Sequence, residues 1–104
     1  MGTVRYQKIE QNGKLLVEEI HKVVVHSFRM GDVDDPDIYA ADPIYQWQQT
    51  EQGQFVMEHA IKKPEWHRNP DHYSMGWHYI ILAEIESKKL SEMYLRWGNP
   101  NGNN

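Results

Sequence analysis

Between Trp66 and His78 the chain reads WHRNPDHYSMGWH, which brings three imidazoles, one carboxylate and three aromatic rings into thirteen residues. Imidazole and carboxylate are the natural ligands of divalent metals, and His67, Asp71 and His72 are the first candidates, with His78 and the more distant His59 able to join them. The spacing matches no recognised zinc motif. A hydrolytic centre would need about three such ligands converging around an open position for water. Asp71-His72 also has the composition of a carboxylate orienting a general base, yet adjacent loop residues rarely face one another, and Ser74 lies in no G-x-S-x-G elbow. Trp66, Tyr73, Trp77 and Tyr79 could stack bases or sugars, or could complete a small core and an oligomer interface, where such rings are enriched. The candidate ligand-binding set is therefore Trp66, His67, Asp71, His72, Tyr73 and His78, with His67, Asp71 and His72 as the metal candidates.

A second chemically dense stretch, DDPDIYAADPIY from Asp34 to Tyr45, repeats Asp-Pro seven residues apart and Ile-Tyr six residues apart. Counted from Asp32 as an EF-hand loop it fails. The fifth position is Pro36, the sixth is Asp37 where Gly is required, and the twelfth is Pro43 where Glu is required. Asp followed by Pro is instead the grammar of a helix start, the carboxylate accepting from free N–H groups while Pro occupies a position that needs no donor. Asp35-Pro36 predicts a short turn and Asp42-Pro43 the main helix, with a bend between them because Pro43 opposes a helix running in from Ala41. The two Ile-Tyr pairs then read as the first apolar anchors of each segment.

The elements that must position these groups follow from turn signals and periodicity. Asn12-Gly13 tolerates the positive φ angles of a tight hairpin, so Thr3 to Glu10 and Lys14 to Ile20 are expected to pair antiparallel. Lys22 to Met30 is β-branched and alternating, a strand that continues the second through a bend near His21. From Pro43 to about His59 a helix places Ile44, Tyr45, Phe55 and Val56 on one face with Trp47 at its edge. Gln48, Gln52 and His59 intrude on that face, and Gly53 is a point where the helix could break. Lys62 to Gly76 has two prolines and no periodicity, which predicts a loop. Trp77 to Ile85 and Leu90 to Trp97 read as a second hairpin, the last segment because Met93, Leu95 and Trp97 alternate with Glu92, Tyr94 and Arg96. The expectation is an α+β fold: a mainly antiparallel four-stranded sheet in ββαββ order with one main helix across one face. Residues 1–97 form a single domain and 98–104 a frayed tail of turn formers. Ile80 and Leu82 would stay uncovered on the far face, where dimerisation could hide them.

Composition narrows the functional classes. The 104 residues are 39% hydrophobic and 25% charged, with four Trp and six Tyr, which is a globular balance sufficient for one small core. The net charge of −4 and the absence of any basic block argue against nucleic acid, whose binding relies on a clustered basic footprint. There is no cysteine, which removes disulfides, thiol catalysis and thiolate metal sites. The N-terminal MGTVRYQKIE lacks the apolar segment of a signal peptide, and no apolar run approaches the roughly twenty residues that cross a bilayer. A cytoplasmic protein with no membrane partner and no implied cofactor is expected.

In FRMGDVDDPDIYAADPIYQWQQTEQGQFVMEHA, the WHR that follows and the closing LRWGN, the chain resembles short uncharacterised proteins encoded by tailed phages of marine cyanobacteria. The likeness spans about Val24 to Asn99; it implies a viral provenance and a place in the host cytoplasm, and it carries over no site residue. The reading is a small non-enzymatic binding or structural accessory protein, homo-oligomeric and most simply a dimer. The alternative is a metal-dependent enzyme or metal-binding protein using the His/Asp segment 67–78.

Overall fold

A computed structural model describes residues 3–73 and 75–98. The tail expected over 98–104 falls outside the described residues except for Gly98, which closes the last helix by donating its N–H to the Tyr94 carbonyl at 2.8 Å. The element order is β1 (Thr3–Gln11), β2 (Lys14–Met30), α1 (Pro36–Gln49), α2 (Glu51–His59), β3 (Glu65–Asp71), β4 (Gly76–Glu86) and α3 (Ser87–Trp97). The fold is α+β, with a four-stranded antiparallel sheet in the order β1-β2-β4-β3. The ββαββ order is corrected to ββααββα, and the single helix to three.

Asn12 and Gly13 adopt φ of 54° and 75° and join Gln11 to Lys14, so the first hairpin forms where Asn-Gly places it. β2 is one continuous strand. At about 3.3 Å per residue its seventeen residues account for the long axis of a molecule measuring 54 × 27 × 22 Å. Its irregularity is a bulge between Val24 and His26, later than the bend expected near His21.

α1 runs from Pro36 straight through Pro43, so the bend expected between the two Asp-Pro pairs is absent. Pro43 leaves one carbonyl without a donor, that of Tyr39, and Tyr39 lies at the surface where water can replace the bond. This helix is anchored by Ala40 and Trp47, both buried, and by Ile44, which packs half-buried against the core as expected; Ile38, Tyr39 and Tyr45 are exposed, against their assignment as apolar anchors. The helix ends at Thr50 and not at Gly53. Thr50 Oγ1 donates to the Trp47 carbonyl at 2.6 Å and accepts from the Gly53 N–H at 3.0 Å, ending α1 and capping α2 with one hydroxyl. Gly53 is needed for a close approach: a Cβ there would lie 1.9 Å from the Trp47 carbonyl oxygen.

Two further expectations are corrected. Glu65–Asp71, predicted as loop, is the edge strand β3, and Pro70 is tolerated there because an edge leaves one side of its backbone unpaired. Leu90 to Trp97, predicted as strand, belongs to α3. Leu90, Met93, Tyr94 and Trp97 fall on one helical face toward the core, whereas Leu95, which the alternation placed beside Met93, is exposed. The Glu86 side chain caps α3 by accepting from the Lys89 N–H, and Glu92 reaches both Lys89 and Arg96 along the outer surface.

The core lies on one side of β4. Ile81, Ala83 and Ile85 meet Val23 and Val25 of β2, Trp47 of α1, Phe55 and Val56 of α2, and Leu90 and Met93 of α3. The alternate residues Ile80 and Leu82 point the other way and are half-buried.

Candidate functional site

β3 divides the candidate residues between two faces. Trp66 and Arg68 point to the helix side, because their cross-strand partners are the core residues Ile81 and Tyr79. His67, Asn69 and Asp71 point to the other side, opposite Ile80, His78 and Gly76. His67 Nε2 lies 3.3 Å from Glu65 Oε1. Asp71 is buried and shapes the β3–β4 turn: its Oδ2 is 3.2 Å from Arg29 Nε, its Oδ1 accepts from the Tyr73 N–H, and its carbonyl accepts from the Met75 N–H. His72 and Tyr73 occupy that turn, and His59 packs against Phe55 on α2. Ser74 lies outside the described residues. His67, Asp71 and His72 are thus not brought together, and among the described residues no three His, Asp or Glu side chains are grouped closely enough to hold a metal ion.

Trp66 belongs instead to an aromatic array under α1. Its ring is 5.7 Å from Tyr79, which stacks on Phe28 at 5.1 Å and 4°, while His26 stacks on Trp47 at 5.5 Å and 15°. The array is tied to the acidic segment through Asp37, whose Oδ1 accepts from the Tyr79 hydroxyl at 2.7 Å and from Arg68 Nη1 at 2.9 Å. Arg68 also lies over the Trp77 ring at 4.6 Å. Burial, reinforced by the bond to Asp37, pushes the Tyr79 phenol above its ordinary pKa of 10.0. Burial alone lowers the His26 imidazole below 6.5. Asp35, expected to cap α1, has φ of 50° and makes no side-chain cap bond. Asp37 is the acidic residue of this segment that joins the helix to the sheet.

Between α1, α2 and β3 a pocket of about 190 Å³ is walled by Ile44, Trp47, Met57, Lys63, Trp66 and Ile81. It falls short of the roughly 300 Å³ at which small-molecule sites begin, and suits a single ring or aliphatic group. The Trp47 indole N–H is buried with no hydrogen-bond partner among the described residues.

The far face of the sheet carries linked charges around Ile80 and Leu82. Glu84 meets Arg5 at 2.6 Å and Lys62 at 3.4 Å, and Glu65 meets Lys22 at 3.2 Å and Lys62 at 3.7 Å. The Arg5 and Lys22 bonds hold the Glu84 and Glu65 carboxyls below their ordinary pKa of 4.5. Greater apolar exposure lies elsewhere, on the β1–β2 hairpin. Only Ile20 and the residues beyond it pair with β4, so Lys14–Glu19 project past the sheet with β1 alone beside them. On this arm Leu15 and Val17 are 68% and 63% exposed on one side, with Tyr6 and Val4 exposed along the same row, and Leu16 is exposed on the other side. Sequence reasoning placed these residues in a strand and overlooked them. The available signal was Leu15-Leu16-Val17 directly after an Asn-Gly turn, since three consecutive apolar residues in a strand put apolar groups on both faces.

A small antiparallel α+β protein with a projecting hairpin is thus defined. No known protein family, curated protein or solved structure matches the chain. Among the described residues no helix is long and apolar enough to cross a membrane.

Proposed function

We propose that the chain is a small non-enzymatic binding or structural accessory protein that acts as a homo-oligomer, most simply a dimer. The supporting observation is the arm. A two-stranded hairpin with water on both faces is marginal by itself, and this one exposes Leu15, Leu16 and Val17 beyond the last residue that β4 covers. Contiguous apolar exposure on a small soluble protein marks an interaction surface. A radius of gyration of 15.7 Å, against about 13 Å for a compact chain near this length, reflects the same projection. The resemblance to short phage proteins agrees with an accessory role in the host cytoplasm. Size-exclusion chromatography with light scattering is expected to return twice the 12.4 kDa chain mass. A single-chain mass at high concentration would overturn the reading.

A further inference from the structure

The exposed edge of β2 has the form of a strand-binding site, and its sequence specifies the occupant. β4 accompanies β2 down to the pair Ile20–Glu86, where the chain turns into α3. Past that point Lys14–Glu19 have β1 on one side and, among the described residues, no strand on the other. A cleft of about 460 Å³ opens over this part of the hairpin, lined by Ile9 and Gln11 of β1, by Leu16 and Val17 of β2, and by Glu86 and Lys88 where β4 passes into α3. The line of β4 extended past Glu86, where another antiparallel strand would run, borders it.

The hairpin sets which backbone groups reach the cleft. In a two-residue turn the flanking pair, here Gln11 and Lys14, exchanges both of its hydrogen bonds, and the pattern alternates from there. Lys14, Leu16 and Glu18 therefore direct their N–H and C=O groups to β1. Leu15, Val17 and Glu19 direct theirs outward.

We propose that two copies pair through this edge about a two-fold axis at Leu16, the segment Lys14–Glu18 of one lying antiparallel to the same segment of the other. The sequence KLLVE is complementary to itself in that register. Lys14 meets the partner's Glu18 and Glu18 meets the partner's Lys14, Leu15 meets the partner's Val17, and Leu16 meets the partner's Leu16. An axis normal to the sheet keeps its faces aligned, so Leu15 and Val17 join one face while the two ion pairs and the central leucines join the other. The outward-pointing groups of Leu15 and Val17 are the ones that supply the ladder bonds, as strand addition requires. Moving the axis to Leu15 or Val17 opposes Leu16 to the partner's Lys14 or the partner's Glu18 and loses both ion pairs. This palindrome of charge and apolar residues is why the occupant is a second copy and not an unrelated strand.

The inference rests on the homo-oligomeric reading and locates its interface. Because the chain has no cysteine, Leu16→Cys introduces one thiol per copy, at a non-hydrogen-bonded pair with Cα atoms about 4.5 Å apart, within disulfide range. Mild oxidation is expected to convert most of this variant to a covalent dimer that reductant reverses. Tyr73→Cys, on a turn residue 95% exposed, is the collision control and should cross-link slowly. Lys14→Glu is expected to weaken the dimer about tenfold, since two attractions become repulsions, and adding Glu18→Lys should restore it. If the wild type is a dimer but Leu16→Cys cross-links no faster than the control and the charge exchange restores nothing, this interface is wrong and the homo-oligomeric reading stands. If the wild type is a monomer throughout, both fall.

Discussion

The two halves of β2 are equally apolar and meet opposite fates. In the upper half Val23 and Val25 are buried against Ile81, Ala83 and the three helices; in the lower half Leu15 and Val17 stand in water. The difference is not in the side chains. It is that β4 ends opposite Ile20, so the upper half has β4 beside it and the helices packed over its face, and the lower half has β1 alone. Burial is a property of what the rest of the chain brings to a strand, and a strand that outruns its sheet keeps an edge open to pairing.

That contrast is most sharply tested by truncation on either side of it. Ile85→Ala, on the β4 strand that covers the upper half, removes a fully buried side chain among Val23, Val56, Leu90 and Met93, and is expected to cost about 2 to 5 kcal/mol in urea unfolding. Leu15→Ala should leave the stability of the monomer within about 0.5 kcal/mol while weakening self-association. Equal losses in the two variants would show that the arm is packed within one chain. Gly53→Ala comes next, expected to cost about 1 to 3 kcal/mol because its Cβ would be forced onto the Trp47 carbonyl at the joint between α1 and α2. Asp37→Asn leaves the Arg68 guanidinium without its carboxylate and weakens the acceptor of the Tyr79 hydroxyl; about 1 to 2 kcal/mol should be lost, with the Tyr79 near-ultraviolet dichroism changed.

The same contrast separates what was legible in the sequence from what was not. The Asn12-Gly13 hairpin was legible because a two-residue turn needs only its own φ angles. The Trp77–Ile85 strand was legible as an apolar run. β3 was not, since Glu65–Asp71 is an edge strand with polar residues on its outer face and no apolar alternation to declare it. α3 was misread because Leu90, Met93, Tyr94 and Trp97 satisfy a helical period while Met93, Leu95 and Trp97 also alternate, and only the core decides between them. Pro43 was misread, and the fate of the helix at Gly53 was left open, for a related reason: each is judged by a neighbour distant in neither sequence nor space, the surface position of Tyr39 and the Trp47 carbonyl, that local propensity does not contain. Of the candidate site, its density between Trp66 and His78 was legible, but not that strand alternation would send Trp66 to the helices and His67 and Asp71 to the far face.

The smallest expected effect is a pH dependence carried by the covered half. His26 stacks on Trp47 and approaches Phe28 at 6.1 Å, with no carboxylate among its ring contacts in the described residues, and burial lowers its imidazole below the ordinary value of 6.5. Below pH 6.5 the unfolded chain therefore takes up a proton at this position that the folded chain refuses. More protons bound to the unfolded state means that stability rises with pH, so it must fall as pH drops from 6.5 toward the lowered value in the fold. Glu84 and Glu65 act in the same direction but in a lower window, because their depressed carboxyls lose stability only as pH falls below 4.5. Between pH 6.5 and 4.5 the slope assigned here is that of His26, and His26→Phe should flatten it in thermal unfolding without altering the loss below 4.5. A slope that survives the substitution would move the acid sensitivity away from the stacked pair with Trp47.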